Sequence, residues 1–177
     1  VSVLVTPRRV LIGGIPISIR GRVHPDDPDS VRRITESSGF FSGAEVEVAV
    51  ELVQTRLFQG VGSGYSFLFA DAEAPIGETI GYSCFGPIPC TQASFDLYWI
   101  AVHDSYRRIG LGKLLLADSE AAIRRMGGRR IYVETSSRSR YQPTHIFYDR
   151  MGYLQQALIP DFYATGDGKI IYVKELQ

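Results

Sequence analysis

The sequence is poor in the residues that thiol and metal chemistry need. It holds two cysteines and three histidines in 177 residues. Cys84 and Cys90 flank Phe85-Gly86-Pro87-Ile88-Pro89, which reads as a loop, and His24, His103 and His145 are scattered. No spacing among them matches a tetrahedral ligand set, so no metal is expected. A cysteine pair of this kind reads as two reduced thiols. Long apolar runs are absent too, and a membrane-crossing helix takes about 20 such residues. Val1 to Ile12 is apolar but broken by Pro7, Arg8 and Arg9. It lacks the ordered regions of a secretory signal. Residues 1–14 read as a loosely held terminus, and the protein as cytoplasmic, without a membrane partner. Net charge is missing as well, with 19 basic against 19 acidic side chains. A general nucleic-acid footprint is therefore not indicated.

What is present suits one globular domain, residues 1–177, with 45% apolar and 21% charged residues. The charge is uneven. Residues 107–150 carry ten basic and four acidic side chains, whereas residues 1–106 carry seven and twelve. Such a block reads either as solvated helix faces or as a site for a multiply anionic ligand.

Apolar periodicity gives the element order. Ile15 to Val23 alternates as a strand. Asp27-Pro28 reads as an N-cap and first helical residue, with Val31 and Ile34 on the buried side. Ser42 and Glu45 form a capping box, with Phe41 able to staple onto Val46. Val46, Val50, Val53 and Leu57 continue that helix, and Gly60, Gly62 and Gly64 end it. The intervening Ser38-Gly39-Phe40-Phe41-Ser42-Gly43 reads as a loop anchored by its Phe pair, or as one covering a substrate. Tyr65–Ala70, Ile76–Phe85 and Phe95–Val102 follow as an antiparallel meander. The last, FDLYWIAV, is apolar enough to be covered on both faces. A helix over Gly110–Met126 and a strand over Ile131–Thr135 complete a strand–helix–strand unit, whose strands should be parallel. A helix near Gln142–Met151 and strands near Tyr153–Ile159 and Ile170–Leu176 close the chain. The class is α+β with a mixed sheet.

Between Val102 and the next helix lies His103-Asp104-Ser105-Tyr106-Arg107-Arg108-Ile109-Gly110-Leu111-Gly112-Lys113. A helix N-terminus leaves N–H groups unbonded and carries partial positive charge. Glycines let a phosphate approach its backbone. Arg107, Arg108 and Lys113 add full charge. The plainer reading is that Gly110 and Gly112 only permit tight helix–strand packing. The spacing fits neither a P-loop nor a dinucleotide fingerprint.

Arg107-x-x-Gly110-x-Gly112, after Leu97-Tyr98-Trp99-Ile100-Ala101-Val102, resembles the acyl-CoA signature of GNAT acetyltransferases, Gln/Arg-x-x-Gly-x-Gly/Ala. Phe147-Tyr148-Asp149-Arg150-Met151-Gly152-Tyr153 resembles the family's second motif. The tail Asp161 to Gly168, then Ile170-Ile171-Tyr172, is similar to the end of enzymes like the ribosomal-protein alanine acetyltransferase. These stretches cover roughly the last half of the chain. The resemblance implies a GNAT fold, a mixed and mostly antiparallel sheet whose central parallel pair splays apart, flanked by helices. It implies acetyl-CoA as co-substrate, held by the backbone of Ile100, Ala101 and Val102 along the pantetheine arm. The N–H groups of Arg108, Ile109, Gly110, Leu111, Gly112 and Lys113, with Arg107 before them, would hold the pyrophosphate. Many relatives carry Asn seven residues before the motif Tyr and Ala four before it. Here Tyr141 and Thr144 stand there, with Pro143 between.

Acetyl transfer needs a free amine, yet an alkylamine with pKa about 10.4 is protonated at neutral pH. A base must take that proton. By resemblance Glu134 holds the base position; the alternative is a strand-end carboxylate paired with Arg138 or Arg140. Asp96 is the second choice of base. Tyr148 by resemblance protonates the CoA sulfur; otherwise it covers the core. A backbone N–H at the end of the FDLYWIAV strand, with Val102 first choice, would bind the carbonyl oxygen. His103 reads as a turn residue, His145 as part of a solvated helix face and Trp99 as core. The expected function is N-acetyl transfer from acetyl-CoA to a primary amine, on a small molecule or a protein N-terminus. The alternative is a non-catalytic acyl-CoA-binding regulatory domain. A homodimer is left open.

Overall fold

The computed structural model describes residues 7–73 and 77–176. A hairpin of β1 (Arg8–Ile12) and β2 (Ile15–Arg20) leads to helices α1 (Asp27–Ser37) and α2 (Gly43–Gln59). Strands β3 (Ser66–Ala72), β4 (Thr79–Pro87) and β5 (Ser94–Val102) follow, then α3 (Leu111–Arg125) and β6 (Arg130–Ser136). Helix α4 (Gln142–Arg150) and strands β7 (Leu154–Ala164) and β8 (Asp167–Glu175) end the chain. All eight strands form one sheet, ordered β1-β2-β3-β4-β5-β6-β8-β7. The β5–β6 pair is parallel and every other neighbouring pair is antiparallel. The mixed α+β sheet expected from the sequence is what forms. Among the described residues no helix is long and apolar enough to cross a membrane.

Both faces of the sheet are covered, which is why β3 to β5 carry so few polar side chains. Alternation sorts them. Phe67 and Phe69 of β3 pack with Val31, Ile34, Val50 and Val53 of α1 and α2. Leu68 and Ala70 pack with Leu111, Leu115 and Ile123 of α3 and with Tyr148 of α4. Each fully buried side chain of this size contributes about 1.5–3 kcal/mol.

Two local expectations are corrected. Residues 8–12 are not a loose end. They pair with β2, and Arg8 reaches Asp118 of α3 at 2.6 Å. Residues 1–6 lie outside the described residues, as does Ile76, the expected start of β4. Asp27 is not the cap of α1. The N-cap is Asp26, without a side-chain cap. The Asp27 carboxylate instead receives both terminal nitrogens of Arg20, at 2.8 and 2.6 Å, and the His24 N–H. Arg20 also donates to Asp71 at 2.6 Å. A buried guanidinium needs such partners, because an unpaired charge in the interior is costly. By contrast, the Ser42–Glu45 capping box forms in both directions.

The strand that matters most is irregular. β4 and β5 pair Cys84 with Trp99 but Phe85 with Leu97, so Tyr98 is an extra residue. This bulge switches the alternation. Before it, Phe95 and Leu97 face α3; after it, Ile100 and Val102 do, while Trp99 and Ala101 face α1 and α2.

Candidate active site

β5 and β6 pair only over Ser94–Asp96 and Arg130–Tyr132. Both strands continue, to Val102 and Ser136, without pairing to each other. A wedge-shaped gap therefore opens inside the sheet. The N–H of His103 donates to the Ile80 carbonyl at 2.8 Å. Residues that bond one neighbour alternate along an antiparallel ladder. Ala101 thus shares the β4 side with His103, and the N–H and C=O of Ile100 and Val102 face the gap.

The gap ends at the loop before α3. Arg108 and Gly110 take positive φ, 65° and 96°, which lifts the chain into the helix. Leu114 makes the first bond of the helix, to the Gly110 carbonyl at 3.1 Å. The N–H groups of Leu111, Gly112 and Lys113 precede that bond and have no acceptor within the helix. Gly110 is required by its backbone; a Cβ there would meet nothing within 4 Å. Gly112 is the reverse case. It has no positive φ, and a Cβ would meet only ordinary contacts, Phe147 at 3.9 Å and Val102 at 4.0 Å. Packing does not require this glycine, so the plainer reading of it loses its basis. Ile109 is wedged against the β1–β2 turn, where a Cβ on Gly13 would lie 2.9 Å from its own Cβ.

The Arg107 guanidinium is engaged elsewhere. It donates to the Ser38 carbonyl at 3.1 Å, pairs with Asp104 at 3.0 Å and lies 5.2 Å from the Phe40 ring centroid. It thereby ties the glycine loop to the α1–α2 loop. That loop crosses the mouth of the gap. Phe41 packs edge-on against Trp99 at 4.9 Å, and the Tyr141 hydroxyl donates to the Phe40 carbonyl at 3.3 Å. The Phe pair is an anchor, with Phe41 on Trp99 and Phe40 beside Arg107 and Tyr141.

The titratable groups divide between the two faces. Tyr148 lies on the α3 face, buried, with ring contacts to Tyr153 at 5.4 Å and Tyr172 at 5.8 Å. Burial pushes its phenol well above the ordinary value, so it stays protonated. Alternation in β6 puts Ile131 and Val133 on that face and Glu134 on the opposite one. Asp96 shares the face of Glu134. Burial first, then the Glu134 charge, raises the Asp96 pKa, against a lowering by Lys169. Tyr98 is pushed up to about 12, by burial first and then by Asp96. Glu134 is paired with neither Arg138 nor Arg140; it meets Lys169 of β8 at 2.5 Å. Arg138 pairs with Asp167.

Two residues escaped the sequence reading. Lys169 sits 35 residues beyond Glu134, and only the β6–β8 register joins them. Thr135 lies on the buried side of β6, and its hydroxyl has no partner among the described residues. A threonine in phase with Ile131 and Val133 was the available signal. His145 is also buried, not solvated; its Nε2 lies 2.9 Å from the Ser136 carbonyl. Both cysteines are free, and burial pushes the Cys84 thiol up, which makes it inert. Among the described residues no cluster could hold a metal. A concavity of about 840 Å³ lies around Arg130, Tyr132, Lys174 and Glu175, and none of the expected site residues lines it.

The sheet thus opens between two parallel strands, with spare backbone groups along one edge and a glycine-bearing helix start at its end. Residues 63–155 match the family model of the GNAT acetyltransferase domain. The chain is 43% identical to a GNAT-family protein from Desulfovibrio desulfuricans, over 90% of this chain and 98% of that one, with a TM-score of 0.86. It therefore belongs to the GNAT acetyltransferase family. The same fold recurs in the ribosomal-protein-S18-alanine N-acetyltransferase of Escherichia coli (16% identity, 91% and 94% coverage, TM-score 0.69). It recurs also in yncA of Salmonella typhimurium, solved with acetyl-CoA (17% identity, 91% and 94% coverage, TM-score 0.68). No curated protein matches the sequence.

Proposed function

We propose that this chain transfers acetyl from acetyl-CoA to a primary amine, on a small molecule or a protein N-terminus, by direct attack. One observation carries the reading. Where β5 and β6 part, the sheet carries the Asp96 and Glu134 carboxylates on one face, and the buried phenol of Tyr148 packs on the other. A thioester lying in the gap would meet its acid and its base from opposite sides of the sheet.

The groups present fit that ligand. Ile100 and Val102 offer backbone donors and acceptors to a pantetheine arm, as an added strand would. The orphan Thr135 hydroxyl is a further polar contact beside it. The N–H groups from Arg108 to Lys113 suit the pyrophosphate, with Gly112 allowing its approach. For the carbonyl oxygen, register favours the N–H of Ile100 over that of Val102. Strands rise about 3.3 Å per residue, so Val102 stands two residues, or about 7 Å, farther from the carboxylates.

Asp96 is the stronger candidate base. Glu134 is neutralised by a lysine at 2.5 Å, whereas burial raises Asp96 toward the working pH. Acting directly or through water, it takes the proton from the incoming ammonium. Tyr148, kept neutral by burial, donates to the departing thiolate. Thermal melting with CoA, acetyl-CoA, ATP and nicotinamide dinucleotides tests the binding half. CoA ligands should raise the melting temperature well above the rest. A screen of amines and peptides that follows thiol release tests the chemistry. Tight CoA binding with no acetylated amine would favour a regulatory acyl-CoA-binding domain instead.

A further inference from the structure

We propose that Lys169 is itself an acetyl acceptor, modified by the chain's own bound acetyl-CoA. The inference rests on the reading of the β5–β6 gap as the acetyl-CoA site. Lysine is rarely withdrawn from solvent, yet the Lys169 side chain is only 13% exposed. Its ammonium lies 2.5 Å from a Glu134 oxygen and 3.7 Å from the Phe162 ring centroid, with Tyr163 at 5.8 Å. A carboxylate with aromatic faces is a cage for an alkylammonium. The cage lies on the face that carries Asp96 and Glu134, where an acceptor amine must come to lose its proton. An internal primary amine thus stands beside both candidate bases. Lys169 is paired with Ser136, at the open end of β6, and its arm bends back to Glu134. Rotation about its flexible four-carbon stem carries Nζ toward the gap.

The step balances with groups already named. Glu134 takes one proton from the Lys169 ammonium. The freed nitrogen bonds to the acetyl carbonyl carbon as the carbon–sulfur bond breaks. The nitrogen sheds its second proton to Asp96 or water, and the thiolate takes one from Tyr148, which recovers it from solvent. Ammonium and thioester become amide, free thiol and one released proton. The product is uncharged, so Glu134 loses its partner and Asp96 loses the cation that opposes its raised pKa. Self-acetylation would thereby change the charge of the acceptor site.

The composition makes the test clean, because the sequence has only three lysines, Lys113, Lys169 and Lys174. Lys174 is held by Glu120 and the Met151 carbonyl, whereas Lys113 is exposed. The purified chain is incubated with acetyl-CoA and no added amine, and its peptides are followed by mass spectrometry. Lys169 should gain one acetyl group at least about ten-fold faster than Lys113, because the amine and thioester are held together. The rate constant should not change on dilution of the protein. It should collapse in Gly112→Asp, where a carboxylate stands in the pyrophosphate's place. Equal labelling of Lys113 and Lys169, or undiminished labelling in Gly112→Asp, would mean chemical acetylation and overturn the proposal. A protein that acetylates an added amine yet leaves Lys169 bare overturns this inference alone. Absence of any thermal shift with CoA overturns it together with the reading beneath it.

Discussion

Gly112→Asp should make the free protein more stable while abolishing its ligand. The added Cβ meets Phe147 and Val102 at 3.9–4.0 Å, ordinary contact that needs no rearrangement. The position lies in the first turn of α3, two residues after the cap Gly110. Replacing a helical glycine there gains up to about 0.5 kcal/mol in propensity. A carboxylate near a helix N-terminus adds roughly 0.3–1 kcal/mol. Together these reach about 1 kcal/mol, which for a chain of this size raises the melting temperature by roughly 2–4 °C. Binding moves the other way. One carboxylate about 4 Å from one phosphate charge costs about 4 kcal/mol at an effective dielectric of about 20, close to a thousand-fold in affinity. Gly110→Ala supplies the contrast. Nothing crowds its Cβ, yet φ of 96° puts it in the left-handed region, which costs roughly 1–2 kcal/mol. Melting curves of wild type and both variants, with and without CoA, read all of these effects. A lower melting temperature for ligand-free Gly112→Asp would show that the glycine serves packing. A retained CoA shift would remove the pyrophosphate from this loop.

Other outcomes follow from the same geometry. Tyr148→Phe should lower turnover by about 10²-fold or more with little change in CoA affinity; steady-state kinetics and CoA titration check it, and unchanged turnover removes the acid. Asp96 carries a raised pKa, so its base form is lost early as pH falls, and Lys169→Met should move the acid limb of kcat/KM to higher pH. A limb that stays in place would count against Asp96. The folded state disfavours ionised Asp96 above its raised pKa and has no such penalty below the unfolded value, so Asp96→Asn should stabilise at neutral pH and lose that gain in acid. Melting across pH measures it, and a gain constant with pH would refute it. Asp27→Ala leaves the buried Arg20 with Asp71 as its remaining ion-pair partner and should cost about 3 kcal/mol or more in urea unfolding. A loss within about 0.5 kcal/mol, as at a surface site, would show the network to be dispensable.

Local signals were legible where local chemistry decides the outcome. The Ser42–Glu45 box, the glycine loop and the strand–helix–strand unit all appear where the residues place them, because capping, positive φ and apolar period act over a few residues. Long-range pairing was not legible. β8 inserts between β6 and β7, and only that register brings Lys169 to Glu134. Asp27 looked like a cap because nothing nearby in sequence announces Arg20 as its partner. The uniform apolarity of FDLYWIAV concealed the bulge, since a strand buried on both faces shows no alternation to break. Tyr141 was read only as standing in place of an expected Asn; the contact its hydroxyl makes, with the Phe40 carbonyl 101 residues away, has no local signal.

The extra residue at Tyr98 is one that β4 does not count. Phe85 pairs with Leu97 and Cys84 with Trp99, so the ladder is in phase on either side of it. Deleting Tyr98 would join the two halves of the ladder and leave unchanged which backbone groups of Ile100, Ala101 and Val102 are sealed against β4 and which stand open. Chains with and without the extra residue can therefore present the same docking edge. What the bulge adds is local, a sharper twist of β5 beside Asp96.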